Sequence, residues 1–236
     1  MKKRKSILHS DDGLAVSEEE YFEKYYEYVR VMGYHYEWNT GYLEEIPASD
    51  SASFSMYTWF NYKLLREYHS TWPIANIVGL KTGFRLALSD KVTIRRPDLA
   101  VISNENSLRL DPWNQYYPGI FDICIEVLSD IHARAIERDT VIKKAEYEEI
   151  GVKEYYLLDS RGKETAFYRL NENGIYENIQ PENGEIIKSD ILPAFQFRIS
   201  DLYRQPSVDE MMDDEVYYRF VLPFLPYEPK EEQEQE

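Results

Sequence analysis

The segment from Phe121 to Asp159 constrains the fold more than any other part of the chain. F-D-I-C-I-E-V-L is an almost unbroken apolar run, Ala133 to Ile150 carries apolar residues at helical spacing, and E-Y-Y-L-L-D follows soon after Gly151. Strand, helix and strand in that order predict a crossover unit with a parallel pair, because a tight turn cannot join parallel neighbours. In the first run, period-two alternation puts Phe121, Ile123, Ile125 and Val127 on one face and Asp122, Cys124, Glu126 and Leu128 on the other. Glu126 therefore stands in a strand too apolar for a solvated edge, where an unpaired carboxylate costs several kcal/mol.

The remaining chain supplies layers for that unit. Ser17 and Glu20 form a capping-box pattern, and Phe22, Tyr25, Val29 and Met32 recur at helical spacing up to Gly33, predicting a helix over 17–32. Y-H-Y-E-W and Y-L-E-E-I flank N-T-G as a β-hairpin. A second helix spans 51–70 and stops before Pro73, and 74–128 is a series of short β-rich runs. Three later strands, separated by S-R-G-K, N-E-N-G and P-E-N-G, predict an antiparallel meander.

With 236 residues, 43% of them hydrophobic, the chain can bury the core of a single α/β domain, and no repeat or second domain is evident. The 21 tyrosines predict many half-buried rings with hydrogen-bonded hydroxyls. Cys124, the only cysteine, excludes an intramolecular disulfide and a cysteine zinc cluster. A reducing cytoplasm is expected, and no apolar run has the length of a signal peptide core or a membrane span. The net charge of -16 argues against a broad basic surface for nucleic acid but leaves room for a local groove.

Two further residues have the chemistry to join Glu126. Pro97 interrupts pairing in R-R-P-D-L-A-V-I, and Asp98 opens the strand that follows. An Asp at a strand end beside a Glu on a neighbouring strand suits a hard cation with oxygen ligands. On the helix after Glu126, Ile136, Thr140, Lys143, Tyr147 and Ile150 form one stripe, so Lys143 faces inward while Lys144, about 100° around the helix, is solvated.

At these residues the chain resembles the Uma-two family of endonucleases, members of the PD-(D/E)XK superfamily. The resemblance rests on Y-E-W-N-T-G-Y-L-E-E-I-P, P-D-L-A-V-I, I-E-V-L-S and D-T-V-I-K-K-A-E-Y-E-E-I-G-V-K-E-Y-Y-L-L-D, in that order, between residues 17 and 204. It implies a restriction-endonuclease-like mixed sheet flanked by helices, with an N-terminal helix and hairpin and a C-terminal meander. It also implies that Asp98, Glu126 and the Val127 carbonyl bind Mg2+, with Mn2+ as a substitute, that Glu37 assists as an auxiliary metal ligand, and that Lys143 orients or activates the attacking water. The superfamily often places its lysine two residues after the acid; Leu128 stands there, so the cation must come from the helix. S-D-I-H-A after Leu128 departs from the family's usual Ser-Pro segment.

Plainer roles compete. Glu126 could pair with Arg96, Asp98 could shape a turn, Lys143 could snorkel, and His35 and Cys124 read as structural residues. The leading expectation is a Mg2+-dependent endonuclease acting on DNA as a homodimer. Its alternatives are a catalytically silent binding or dimerisation protein of the same fold and a two-carboxylate glycoside hydrolase. The expected organisation is a flexible arm over 1–16, the nuclease-like domain over 17–204, a packed extension over 205–225 and a disordered acidic tail over 226–236.

Overall fold

The computed structural model of the chain describes residues 9–26, 34–79, 82–111, 113–114, 116–129 and 133–221. In chain order the strands are β1 (His35–Asn39), β2 (Tyr42–Ile46), β3 (Ala75–Gly79), β4 (Gly83–Ala87), β5 (Val92–Arg95), β6 (Leu99–Ser103) and β7 (Tyr116–Tyr117), then β8 (Ile123–Leu128), β9 (Glu154–Asp159), β10 (Ala166–Leu170), β11 (Tyr176–Asn178), β12 (Ile186–Lys188) and β13 (Gln196–Arg198). Helix α1 starts as Glu18–Glu20 and widens into a π-type segment, Tyr21–Tyr26. Helix α2 joins Ser51–Trp59, a wide segment Phe60–Leu65 and Arg66–Thr71; α3 joins Ala133–Glu137, a wide segment Arg138–Lys143 and Lys144–Ile150. Three short helices follow: α4 (Asp201–Arg204), α5 (Val208–Met212) and α6 (Glu215–Val221).

The centre is a six-stranded mixed sheet in the order β11-β10-β9-β8-β6-β3. β8 and β9 are parallel, with Glu126 opposite Leu157, and α3 makes the crossover between them. β6 runs antiparallel to β8. Every residue of β6, β8 and β9 is buried, as their continuous apolar runs require when both sheet faces are covered. Ile123, Ile125 and Val127 pack with Phe60, Leu64 and Phe197 on one face. Cys124 and Leu128 pack with Phe84, Tyr147 and Leu157 on the other. Phe121 departs from the expected alternation and joins the second group, because the strand begins only at Ile123.

A five-stranded sheet, β2-β1-β5-β4-β7, carries the hairpin. Thr40 (φ 49°) and Gly41 (φ 91°) both occupy the left-handed region, so the turn matches the twist of the strands it joins, with Asn39 opposite Tyr42. Ser17 accepts a hydrogen bond from the Glu20 N–H, but the Glu20 carboxylate pairs with Lys24, so only half of the expected capping box forms. Val29, Met32 and Gly33, which carried the end of the expected first helix, lie outside the described residues. So do Asp130 to His132 and the acidic tail.

The C-terminal strands divide where one meander was expected. β10 and β11 extend the central sheet, whereas β12 pairs with β13, a strand the sequence pattern did not suggest, in a sheet of their own. After Ile179 donates to the Phe167 carbonyl, a tight turn at Glu182–Ile186 redirects the chain, and Phe195 and Phe197 pack against Phe60. Met211, Val216 and Tyr217 complete this cluster.

Helix α3 ends at Gly151 (φ 93°), where the Tyr147 carbonyl accepts from the N–H groups of Gly151 and Val152. A Cβ at Gly151 would meet no atom within 4 Å, so the cost of adding one is purely conformational. Gly151→Ala should lower the unfolding free energy by about 1–2 kcal/mol without altering the far-ultraviolet circular dichroism spectrum. Denaturant titration measures this, and an unchanged midpoint would refute a left-handed helix end.

Candidate active site

The site forms where the ladder between β6 and β8 ends. Leu99 lies opposite Ile125, and the same register carried one and two residues further sets Asp98 opposite Glu126 and Pro97 opposite Val127. Asp98 Oδ2 accepts the Val127 N–H at 2.8 Å. A strand residue's N–H and C=O point to the same side, so the Val127 carbonyl faces Pro97, which has no N–H to offer. Among the described residues, none donates a hydrogen bond to Asp98 Oδ1 or Glu126 Oε2. These oxygen donors surround a cavity of ≈ 20 Å³, walled by Asp98, Glu126, Val127, Arg138, Asp139 and Lys143, with room for a water-sized occupant.

Lys143 enters from α3 and is almost fully buried. Its Nζ lies 3.0 Å from Glu126 Oε1, 3.0 Å from Glu37 Oε1 and 3.2 Å from Asp139 Oδ1. Tyr147, one helical turn on, donates its hydroxyl to the same Glu126 oxygen at 3.0 Å. Behind Lys143, Glu37 accepts the Arg96 N–H at 2.8 Å through Oε1 and pairs with Arg95 at 3.1 Å through Oε2. Arg95, wholly buried, also holds Glu146 with two hydrogen bonds, of 2.6 and 2.9 Å, and pairs with Glu44. Lys91 reaches Glu146 at 2.7 Å.

The acids divide by how well cations serve them. Burial works to raise the Glu37 carboxyl, but Lys143, Arg95 and Arg138 outweigh it and hold it at about 2. Burial raises Asp98 to about 6 against the Val127 N–H and Lys143, and raises Glu126 well above the usual carboxylate range despite Lys143. Burial opposes charge on Lys143 too, yet Asp139, Glu126 and Glu37 keep it protonated. One ammonium thus faces three carboxylates with Asp98 close by, and Asp98 and Glu126 are the pair left short of positive charge.

The structure brings Asp98, Glu126, Val127 and Lys143 to one cavity. Glu37 sits behind Lys143, with both oxygens engaged by Arg95, Lys143 and the Arg96 N–H, and does not line the cavity. Lys144, expected to be solvated, is half-buried instead, its Nζ 4.0 Å from the centre of the Tyr168 ring. Asp122, on the Glu126 face by alternation, serves the opposite strand end, accepting from Ser103 N and Lys153. Asp139, Arg95, Arg138 and the Tyr147 hydroxyl were not anticipated. Asp139 lies four residues before Lys143, the spacing that stacks helical side chains, and that was a usable signal. Among the described residues, no three His, Cys, Asp or Glu side chains form a metal-binding group, so the oxygen set here is two carboxylates with a peptide carbonyl.

A mixed sheet with a parallel strand–helix–strand unit, acids on neighbouring strands and a lysine from the crossover helix define a restriction-endonuclease-like fold. Residues 19–200 match the sequence model of the Uma2 family, described as "Putative restriction endonuclease", and the chain belongs to that family. No curated protein matches the chain. Among solved structures, it is similar to a crystal structure described as a putative nuclease belonging to DUF820 from Anabaena variabilis, with 15% identity, a TM-score of 0.52 and coverage of 72% of this chain and 90% of that one. Among the described residues, no helix is long and apolar enough to cross a membrane.

The raised Asp98 carboxyl has a thermodynamic consequence. Between its ordinary value of 3.8 and about 6, the native state keeps a proton that the unfolded chain has released, so stability falls as pH rises through that window and stays lower above it. Asp98→Asn keeps an acceptor for the Val127 N–H. It should stabilise the protein in EDTA at pH 7 by about 1–2 kcal/mol, after discounting for partial exposure, and should flatten the profile between pH 4 and 6. Chemical denaturation across this range checks it; a loss of stability at pH 7 would show that the carboxylate is not held against its charge.

Proposed function

We propose that this chain is a metal-dependent endonuclease that hydrolyses DNA phosphodiester bonds. The observation that carries the reading is Lys143 Nζ held among Glu126, Glu37 and Asp139 at the edge of a cavity whose wall includes Asp98 and the open side of Val127. Asp98, Glu126 and the Val127 carbonyl would hold Mg2+, or Mn2+ in its place. The set is all oxygen, as a hard cation prefers, and its two carboxylates are those the protein's own cations leave undercompensated. When bound, such a cation supplies positive charge for the phosphoryl oxygens and leaving group and lowers the pKa of its water.

The protein's own groups have distinct tasks. Lys143 is kept protonated by three carboxylates, so it acts by charge and by hydrogen bonds that orient the water and the scissile phosphate, not by abstracting a proton. Glu37 and Asp139 position Lys143. Tyr147 fixes Glu126 Oε1 and leaves Oε2 for the cavity. Attack of water forms one P–O bond while the bond to the leaving sugar oxygen breaks; the proton the water loses goes to solvent, and the leaving oxygen takes one up from solvent. Two copies of the chain related by twofold symmetry would cut both strands of a duplex, which predicts a homodimer.

Incubation of supercoiled, linear and single-stranded DNA with Mg2+ or Mn2+ tests the reading. The unmodified protein should nick the supercoiled form, EDTA should abolish nicking, and Glu126→Gln and Lys143→Met should each lower the rate by at least about a hundredfold. Activity retained by both variants would sink the site assignment. Absence of cleavage by the unmodified protein on any of these substrates would favour a silent binding protein of the same fold.

A further inference from the structure

Helix α2 borders the candidate site and presents an aromatic surface that the site chemistry does not use. At its start, Ser53 Oγ donates to the Leu128 carbonyl at 2.7 Å, and Leu128 lines the cavity. One turn along, the Tyr57 hydroxyl lies over Gly79, where a Cβ would approach it to 3.4 Å, and Gly79 pairs with Leu99, next to Asp98. Tyr57 is buried, but the rings beside it are exposed: Phe54 by 59% and Tyr62 by 53%. Phe54 lies nearly parallel to Tyr57 (20°, centroids 6.5 Å apart), and Tyr62 meets Tyr57 edge-on at 6.5 Å.

The charge of this helix sets it apart. In a chain of net charge -16, the stretch from Ser51 to Arg66 contains no Asp or Glu and two cations, Lys63 and Arg66. Both are exposed, and among the described residues neither has an ion-pair partner. Exposed aromatic residues on the same helix as two unpaired cations match a polyanion that carries aromatic groups. Bases in a duplex hide their faces, whereas an unpaired strand offers them.

We infer that the outer face of α2 binds unpaired bases of a single nucleic-acid strand, stacked on Phe54 and Tyr62, with Lys63 and Arg66 on the backbone, beside the acid pair. This rests on the nuclease reading for its purpose, though not for its measurement. Phe54 and Tyr62 are exposed enough to be replaced without opening the core.

Fluorescence anisotropy of a labelled oligothymidylate in EDTA, with the full chain, reads binding apart from cleavage. The single strand should bind more tightly than a duplex of the same length. Phe54→Ala and Tyr62→Ala should each weaken single-strand binding by about tenfold, with Phe54→Tyr close to the unmodified protein. Lys63→Gln with Arg66→Gln should reduce the slope of log affinity against log salt by about 1.4. Equal binding of strand and duplex, or wild-type binding by Phe54→Ala, overturns the inference. So does light scattering in which Phe54→Ala converts a dimer to a monomer, which would assign the face to a second copy. Stacking-dependent binding without metal-dependent cleavage leaves this inference standing and removes the nuclease; cleavage with wild-type binding by Phe54→Ala does the reverse.

Discussion

The structure turns on a buried chain of charges in which no member is satisfied alone. Arg95, from β5, holds Glu37 of β1, Glu44 of β2 and Glu146 of α3; Glu37 in turn holds Lys143, which reaches Glu126 of β8. Taking such groups out of water is costly, and their attraction repays the cost only when each has a well-placed partner. Removing one member would strand the rest, at about 3–5 kcal/mol. The network therefore fixes the five-stranded sheet against the crossover helix, and with it the depth at which Lys143 enters. A hydrophobic replacement could pack equally well, but it could not hold a protonated lysine beside two undercompensated acids.

Pro97 complements that network. It ends the ladder between β6 and β8, and the end of the ladder is what frees a backbone carbonyl at Val127 and turns Asp98 toward its N–H. One residue without an N–H thus creates both the gap and the carboxylate that borders it. The wide segment of α3 at Arg138–Lys143 lies at the same level and brings Asp139 and Lys143 to the cavity together. Similar wide segments occur in α1 and α2, but only the one in α3 carries residues that wall the cavity.

Period and punctuation made much of this legible. The apolar runs that became β6, β8 and β9, the N-T-G turn, the Gly151 helix end and the inward stripe of α3 are local patterns, and each survived burial because tertiary packing agreed with local preference. What could not be read was pairing between distant segments. Nothing near V-T-I-R announces that Arg95 is wholly buried, since its three carboxylates come from two strands and a helix elsewhere in the chain. Glu37 was legible as an acid on a hairpin, but whether it faced the cavity or the lysine depended on Arg95. The division of the C-terminal strands was hidden for a similar reason: Q-F-R is too short to carry an alternation, and Phe197 is placed by Phe60 and Phe167.

The large negative charge of the chain at first opposes any dealing with a polyanion, but net charge is the wrong measure. Cations placed in the interior, such as Arg95 and Lys143, cancel carboxylates there and project no attractive field, while acids on the outer surface repel a strand from most approaches. A helical stretch without acids beside the site, Ser51–Arg66 between Asp50 and Glu67, then matters more than it would on a neutral protein, because a strand lying along it meets fewer carboxylates than elsewhere. Such a surface would bind weakly, with a salt dependence set by its two cations, and would leave selectivity to the stacking of exposed bases. Repulsion elsewhere would keep duplex nucleic acid from coating the protein, so that the arrangement of charge, and not its sum, decides which strand reaches the acids.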